Sequence, residues 1–262
     1  MEEFDGRGLS IIGVTGETDE DGREKTVDWV EDKGVKYGYA YDEGLALFRS
    51  LGLNAFPSAV LIDPFGNIVY SGHPARLDNA TIESALTDAL PMPLHAWGRD
   101  LAPVKKALEM GHYGPAKMAA AKLTEVEEAA SMPEFIDRIV SIRVADATAL
   151  VEKLDVKAAM QALDGYEAAY AGLEGPLASM AGLAEQLKSE RAQGALAAQE
   201  RITEILSQIQ AADSKGSVEQ VEGFLTELKE LSKEFSGLAP GDDAAGLAEM
   251  LPDYIKQLKK RK

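Results

Sequence analysis

Pro91-Met92-Pro93 separates two stretches with different residue patterns. Proline inside a helix loses a backbone hydrogen bond and clashes with the preceding turn, so two prolines in three residues end any helix there. Before the break, short runs of apolar and β-branched residues alternate with helical segments. After it the strand signals vanish, and Ala, Leu, Glu, Lys and Gln dominate, all good helix formers. The sequence therefore predicts an α/β region over residues 1–90, a proline-containing linker at 91–98 and an all-α region over 99–262. A length of 262 residues suits about two domains.

Within the first region, residues 9–15 (Leu9-Ser10-Ile11-Ile12-Gly13-Val14-Thr15) read as a buried strand. A helix is expected at 23–33, and a strand at 35–41 with Tyr37, Tyr39 and Tyr41 on one packed face. A short helix at 45–51 ends at Gly52. A strand at 58–63 leads through the turn Asp63-Pro64-Phe65-Gly66-Asn67 into a second strand at 68–71. A helix closes the region at 81–90.

The second region predicts helices at 101–110, 115–129, 132–153, 156–171, 176–211, 218–235 and 243–260. Ser131-Met132-Pro133-Glu134 and Ser217-Val218-Glu219-Gln220 have capping-box form. Pro176 opens a helix, Gly194 is a candidate interruption, and Pro252 should kink or restart the last helix. The region also matches itself. Val156, Met160, Leu163, Tyr166, Tyr170 and Leu173 align with Val221, Leu225, Leu228, Leu231, Phe235 and Leu238 at an offset of 65. Gly182-Leu183-Ala184-Glu185-Gln186-Leu187 aligns with Gly246-Leu247-Ala248-Glu249-Met250-Leu251 at an offset of 64. Together these suggest a duplicated helical hairpin, 156–187 and 221–251.

Charge argues against one class of partner, nucleic acid. The net charge is −17, and residues 1–97 alone hold 7 basic and 17 acidic residues. Nucleic-acid phosphates need clustered cations, and the basic cluster Lys256, Lys259, Lys260, Arg261 and Lys262 reads instead as a solvated helix end. No apolar run approaches the roughly 20 residues of a membrane helix. No cysteine is present, so thiolate catalysis and disulfides are unavailable to these residues.

One segment resembles a known family. Gly52-Leu53-Asn54-Ala55-Phe56-Pro57-Ser58-Ala59-Val60-Leu61-Ile62-Asp63-Pro64-Phe65-Gly66-Asn67-Ile68-Val69-Tyr70 looks like the thioredoxin-like redoxins of the TlpA/ResA and AhpC/TSA type. Their pattern is G-V-x-x-x-P-x-x-x-L-I-D-x-x-G-x-I-V followed by a final helix, and the upstream element order fits. The resemblance covers residues 1–90, a third of the chain. It implies a thioredoxin-like fold, with Pro57 as the cis-proline and Phe56, Pro57 and Ser58 as a loop that holds a protein or peptide substrate. Cis bonds are essentially confined to proline.

The departure from the family is as informative. Family members begin with a strand and a helix carrying Cys-x-x-Cys, which would precede Glu2-Glu3-Phe4. The chain is therefore expected to be truncated; the alternatives are a redox-silent relative or a strand taken from another copy or partner. No catalytic residue is assigned. The resemblance implies a thiol–disulfide oxidoreductase, or an enzyme acting on peroxides, with no cofactor and an extracytoplasmic location after a lost signal. The competing reading is a non-catalytic interaction module: a thioredoxin-like scaffold with a helical half that binds another protein.

Other sites are weak. Glu17, Asp19, Asp21, Gly22 and Asp28 echo a calcium loop, but the first ligand position is Glu and a strand precedes it. His73, His95 and His112 lack the helical spacing of a zinc motif, so no metal is assigned.

Overall fold

The computed structural model describes residues 4, 7–87, 89–90, 97–211 and 218–260. The chain divides into two compact units, residues 1–102 and 103–262. Residues 91–96 of the expected linker, with His95, lie outside the described residues, as do Ser217, Arg261 and Lys262.

In the first unit, β1 (Ile12–Thr15) is shorter than expected and leads into α1 (Glu20–Asp32). This helix starts three residues earlier than expected because Asp19 accepts the Gly22 N–H at 2.7 Å. Glu20 and Asp21 in its first turn suit the positive end of the helix dipole. At the other end Gly34 takes φ +58°, its N–H bonds Glu31 O at 3.0 Å, and Val35 N–H bonds Val30 O at 3.0 Å. This cap uses residues expected in the next strand, so β2 is only Gly38–Tyr41. It runs parallel to β1 in the register Ile12↔Gly38 to Thr15↔Tyr41. The tyrosines are not a packed face. Tyr37 precedes the strand, and Tyr39, 41% exposed, meets Tyr41 edge-on at 6.1 Å.

A 3₁₀ turn, Glu43–Leu45, enters α2 (Ala46–Ser50), and Gly52 at φ +67° follows its end. β3 (Ala59–Ile62) and β4 (Ile68–Gly72) form an antiparallel hairpin with an irregularity between Leu61 and Ile62. One carboxylate organises its turn. Asp63 Oδ1 accepts Phe65 N–H at 2.9 Å and Asn67 N–H at 2.8 Å, and Oδ2 accepts the Asn67 amide at 3.0 Å. Gly66 supplies the positive φ, +91°. α3 (Asn79–Leu86), capped by Asp78 on Thr81 N–H at 2.8 Å, ends four residues before the expected boundary.

The two strand pairs remain separate. Among the described residues β1 pairs only with β2, and β3 only with β4. Few side chains in these elements are buried; Leu61 is one. Ile12 is 66% exposed and Ile62 54%.

The second unit is helical: α4 (Ala102–Glu109), α5 (Tyr113–Ala120), α6 (Met132–Glu152), α7 (Val156–Ala162), α8 (Tyr166–Ala169), α9 (Glu174–Gln186), α10 (Glu190–Ala211), α11 (Val218–Glu234) and α12 (Ala239–Lys260). Several boundaries differ from expectation. The 115–129 segment is helical only to Ala120, then turns into a 3₁₀ stretch, Glu127–Ala129. The 156–171 helix breaks at Gly165, φ +67°. The 176–211 helix breaks at Lys188-Ser189, not at Gly194, which sits inside an unbroken α10. There Ser189 Oγ accepts Ala192 N–H at 3.3 Å, and the Gln193 side chain donates to Leu187 O at 2.8 Å, so both loose ends find partners. α12 runs through Pro252 without restarting. Ser131 precedes α6 with Pro133 in the first turn, but its backbone is already helical and its side chain caps nothing.

Burial follows helical spacing. Ala192, Ala195, Ala198, Ile202 and Ile205 form the inward stripe of α10. Its C-terminal part packs with Val221, Phe224 and Leu228 of α11 and Leu247, Leu251 and Ile255 of α12. Arg201 ties α10 to α11 through a two-pronged bond to Glu227, at 2.6 and 2.9 Å. Lys259 ties α12 to Glu222 at 2.8 Å, while Lys256 pairs locally with Asp253. Positions 65 apart behave alike. Gly172 and Gly237 have φ +83° and +75°, Tyr170 and Phe235 are buried, and Leu173 and Leu238 each donate backbone bonds three residues back. α9 and α12 begin at equivalent points, residues 174 and 239. The equivalence stops at Gly165, where the α7–α8 arm breaks and α11 stays continuous.

Candidate functional site

The Phe56–Pro57 peptide is cis, as the proline's register with Leu61-Ile62-Asp63 suggests. Phe56 is 63% exposed, a large apolar area to leave in water. Ser58 Oγ turns back to donate to Ala55 O at 2.5 Å, closing the loop. Phe56, Pro57 and Ser58 are thus neighbours on one exposed turn, with Ser58 occupied inside it.

What holds Phe56 was not legible in the loop itself. Its ring stacks on Phe48 of α2, with centroids 4.4 Å apart and planes 18° from parallel. Phe48 is placed in turn by Asp42, whose Oδ2 accepts Phe48 N–H at 2.8 Å while Oδ1 accepts Leu47 N–H at 2.9 Å. Asp42 is buried. These amides, Phe48's first, hold its carboxyl below the usual carboxylate range. Leu53 N–H bonds Phe48 O at 3.1 Å and carries the chain back toward the loop. Asp42 and Phe48 therefore position Phe56. The available signal was Tyr41-Asp42-Glu43-Gly44, an aspartate before a positive-φ glycine at a helix entry. Leu47, next to Phe48 on α2, is also exposed, at 47%.

Apart from this loop, a concavity of about 590 Å³ lies between the β3–β4 turn and α3, with Asp63 and Asp78 on its lining. Both carboxylates are engaged in shaping the backbone. That lowers the pKa of Asp78 through its bonds to Thr81, and that of Asp63 through Asn67 and the turn amides, which outweigh the opposing effect of burial. They are structural caps, not an acid–base pair.

The remaining candidates resolve into structural roles. Asp19 caps α1 and Asp21 pairs with Lys25 at 2.6 Å, which uses two of the calcium-like carboxylates. Among the described residues no three His, Asp or Glu side chains gather as a metal site. His73 Nδ1 accepts Ala75 N–H at 3.2 Å. In the second unit, buried Gln199 donates to Asp155 at 2.9 Å and accepts Lys157 N–H at 3.2 Å, locking α7 to α10. No buried side-chain polar atom among the described residues lacks a partner. No described helix is long and apolar enough to cross a membrane.

Compared with known protein families, with characterised proteins and with solved structures, the chain matches none.

Proposed function

We propose that the chain acts by binding protein, through a thioredoxin-like scaffold whose Phe56–Pro57 loop contacts an extended partner segment. One observation carries this reading: Phe56 stands exposed with its ring stacked on Phe48, which Asp42 places, instead of folding inward. Fixing an aromatic in advance lowers the entropy cost of ordering it on binding. With no cysteine present, these residues bring no thiolate to the contact. The helical unit, built of successive hairpins, offers a second surface for a protein partner.

A second reading keeps the activity implied by the family resemblance, thiol–disulfide exchange. It is favoured by the register of Pro57 with Leu61-Ile62-Asp63 and Gly66. In it the reactive cysteines come from outside these 262 residues, and the setting is extracytoplasmic. An array of extended apolar peptides probed with the full chain tests the first. Binding that Phe56→Ala reduces about tenfold supports it, and binding indifferent to that substitution defeats it. Insulin reduction by dithiothreitol should run at its background rate with this chain, because exchange needs an attacking thiolate.

A further inference from the structure

We propose that Met118 is a site of reversible oxidation by hydroperoxides, and that its sulfoxide loosens the joint between α5 and the Tyr170-Ala171-Gly172 turn. The site lies within the second unit and is independent of the Phe56 loop.

The chain has no cysteine, so the sulfur open to oxidation is that of methionine. Among the described methionines, Met132 and Met180 are 2% and 1% exposed, out of reach of a solute. Met110, Met118, Met160 and Met250 are open to water. The sulfur of Met118 also takes part in a contact between elements. Its Sδ lies 3.3 Å and its Cε 3.5 Å from where a Cβ on Gly172 would stand, so the thioether rests on the bare Cα of that turn. Gly172 has φ +83°, a backbone conformation that glycine adopts freely.

Neighbouring residues of α5 meet the same turn. The Tyr113 ring lies 5.7 Å from that of buried Tyr170. Gly114 comes so close that an added Cβ would stand 2.0 Å from Ala171 O. α5 spans only eight residues, too short to persist without packing. Ala116 and Ala120 are buried on its opposite side. Lys117 pairs with Asp137 of α6 at 2.6 Å, an exposed ion pair that contributes little. The contact with the turn is thus a fixture of α5 that an oxidant dissolved in water can reach.

The chemistry is local. A lone pair on Met118 Sδ attacks the terminal oxygen of a hydroperoxide, the O–O bond breaks, and the proton on that oxygen passes to the departing oxygen. The thioether is oxidised to a sulfoxide, and the peroxide is reduced to water or an alcohol. The new S=O group is polar and needs a hydrogen-bond partner. Gly172 has no side chain to supply one, so the group turns to water and leaves the turn.

Hydrogen peroxide added to the full chain, followed by peptide mass mapping and amide exchange, tests the proposal. Met118 should be converted while Met132 and Met180 stay reduced. Exchange should then rise about tenfold at Tyr170 and Leu173, whose N–H groups bond Tyr166 O and Tyr170 O. It should fall back when methionine sulfoxide reductases restore the thioether. Met118→Leu keeps an apolar side chain without sulfur and should abolish the response, whichever other methionines are oxidised. Met118→Gln, polar like the sulfoxide, should raise the same exchange with no oxidant. Conversion of Met118 as slow as that of Met132 and Met180 would overturn the proposal. So would exchange at Tyr170 and Leu173 unaltered by the sulfoxide or by Met118→Gln, or a response that persists in Met118→Leu.

Discussion

Asp42 shows how one carboxylate can set the geometry of a surface. It accepts two amides of α2 and thereby aims Phe48 at Phe56. Its lowered pKa means that the folded state holds the proton less tightly than the unfolded chain. Its stabilising effect is therefore present above the ordinary aspartate pKa and lost as pH falls through the folded value. Asp42→Asn should lower the melting temperature at neutral pH, and the difference should close in acid below about pH 4. A gap that persisted in acid would contradict the assignment. Asp243 behaves oppositely. Lost hydration first, then the charges of Asp155 and Asp242, raise its pKa. It costs no stability below the ordinary aspartate pKa, and the penalty grows as pH rises through the raised value. Asp243→Asn should therefore raise the melting temperature at neutral pH and change nothing in acid. Asp242 remains in the first turn of α12 to complement the helix dipole.

Among the elements, glycine substitutions separate local propensity from packing. Gly194 lies within α10 with nothing within 4 Å of an added Cβ. Gly194→Ala should stabilise by about 1 kcal/mol, the ordinary gain in a helix interior. Gly114 in α5 should reverse the sign, because its added Cβ would lie 2.0 Å from the carbonyl oxygen of Ala171. Thermal melts of both variants check the pair, and a stabilised Gly114→Ala would show that α5 does not approach that closely. The same elements show what the sequence reveals. The Asp63-Pro64-Phe65-Gly66-Asn67 turn was legible because its residues bond one another. The Gly172 and Gly237 turns were legible through spacing. The break at Ser189 was not, since Gly194 was the more conspicuous breaker and the closing bond from Gln193 comes from a side chain with no local signature. The Phe48–Phe56 stack escaped detection for a related reason: its partners lie on different elements.

Across the whole chain the two units differ in what holds them together. In the second, α10–α12 share a continuous core of Ile205, Val221, Leu228 and Leu251. In the first, two separate strand pairs leave Ile12, Ile62 and Phe56 in water. Patterning could locate those strands but not join them, because apolar runs read the same whether a neighbour covers them or not. The central proposal is that the exposed apolar surface of the first unit serves a partner and stabilises little by itself. Native-state hydrogen exchange of the free chain, followed residue by residue, tests this most directly. Amides at 12–15 and 59–62 should exchange by local opening, far faster than those of α10 and α11, which should open only on unfolding of their unit. Exchange at 12–15 and 59–62 as slow as at Ile205 and Leu228, in a monomer, would contradict the account.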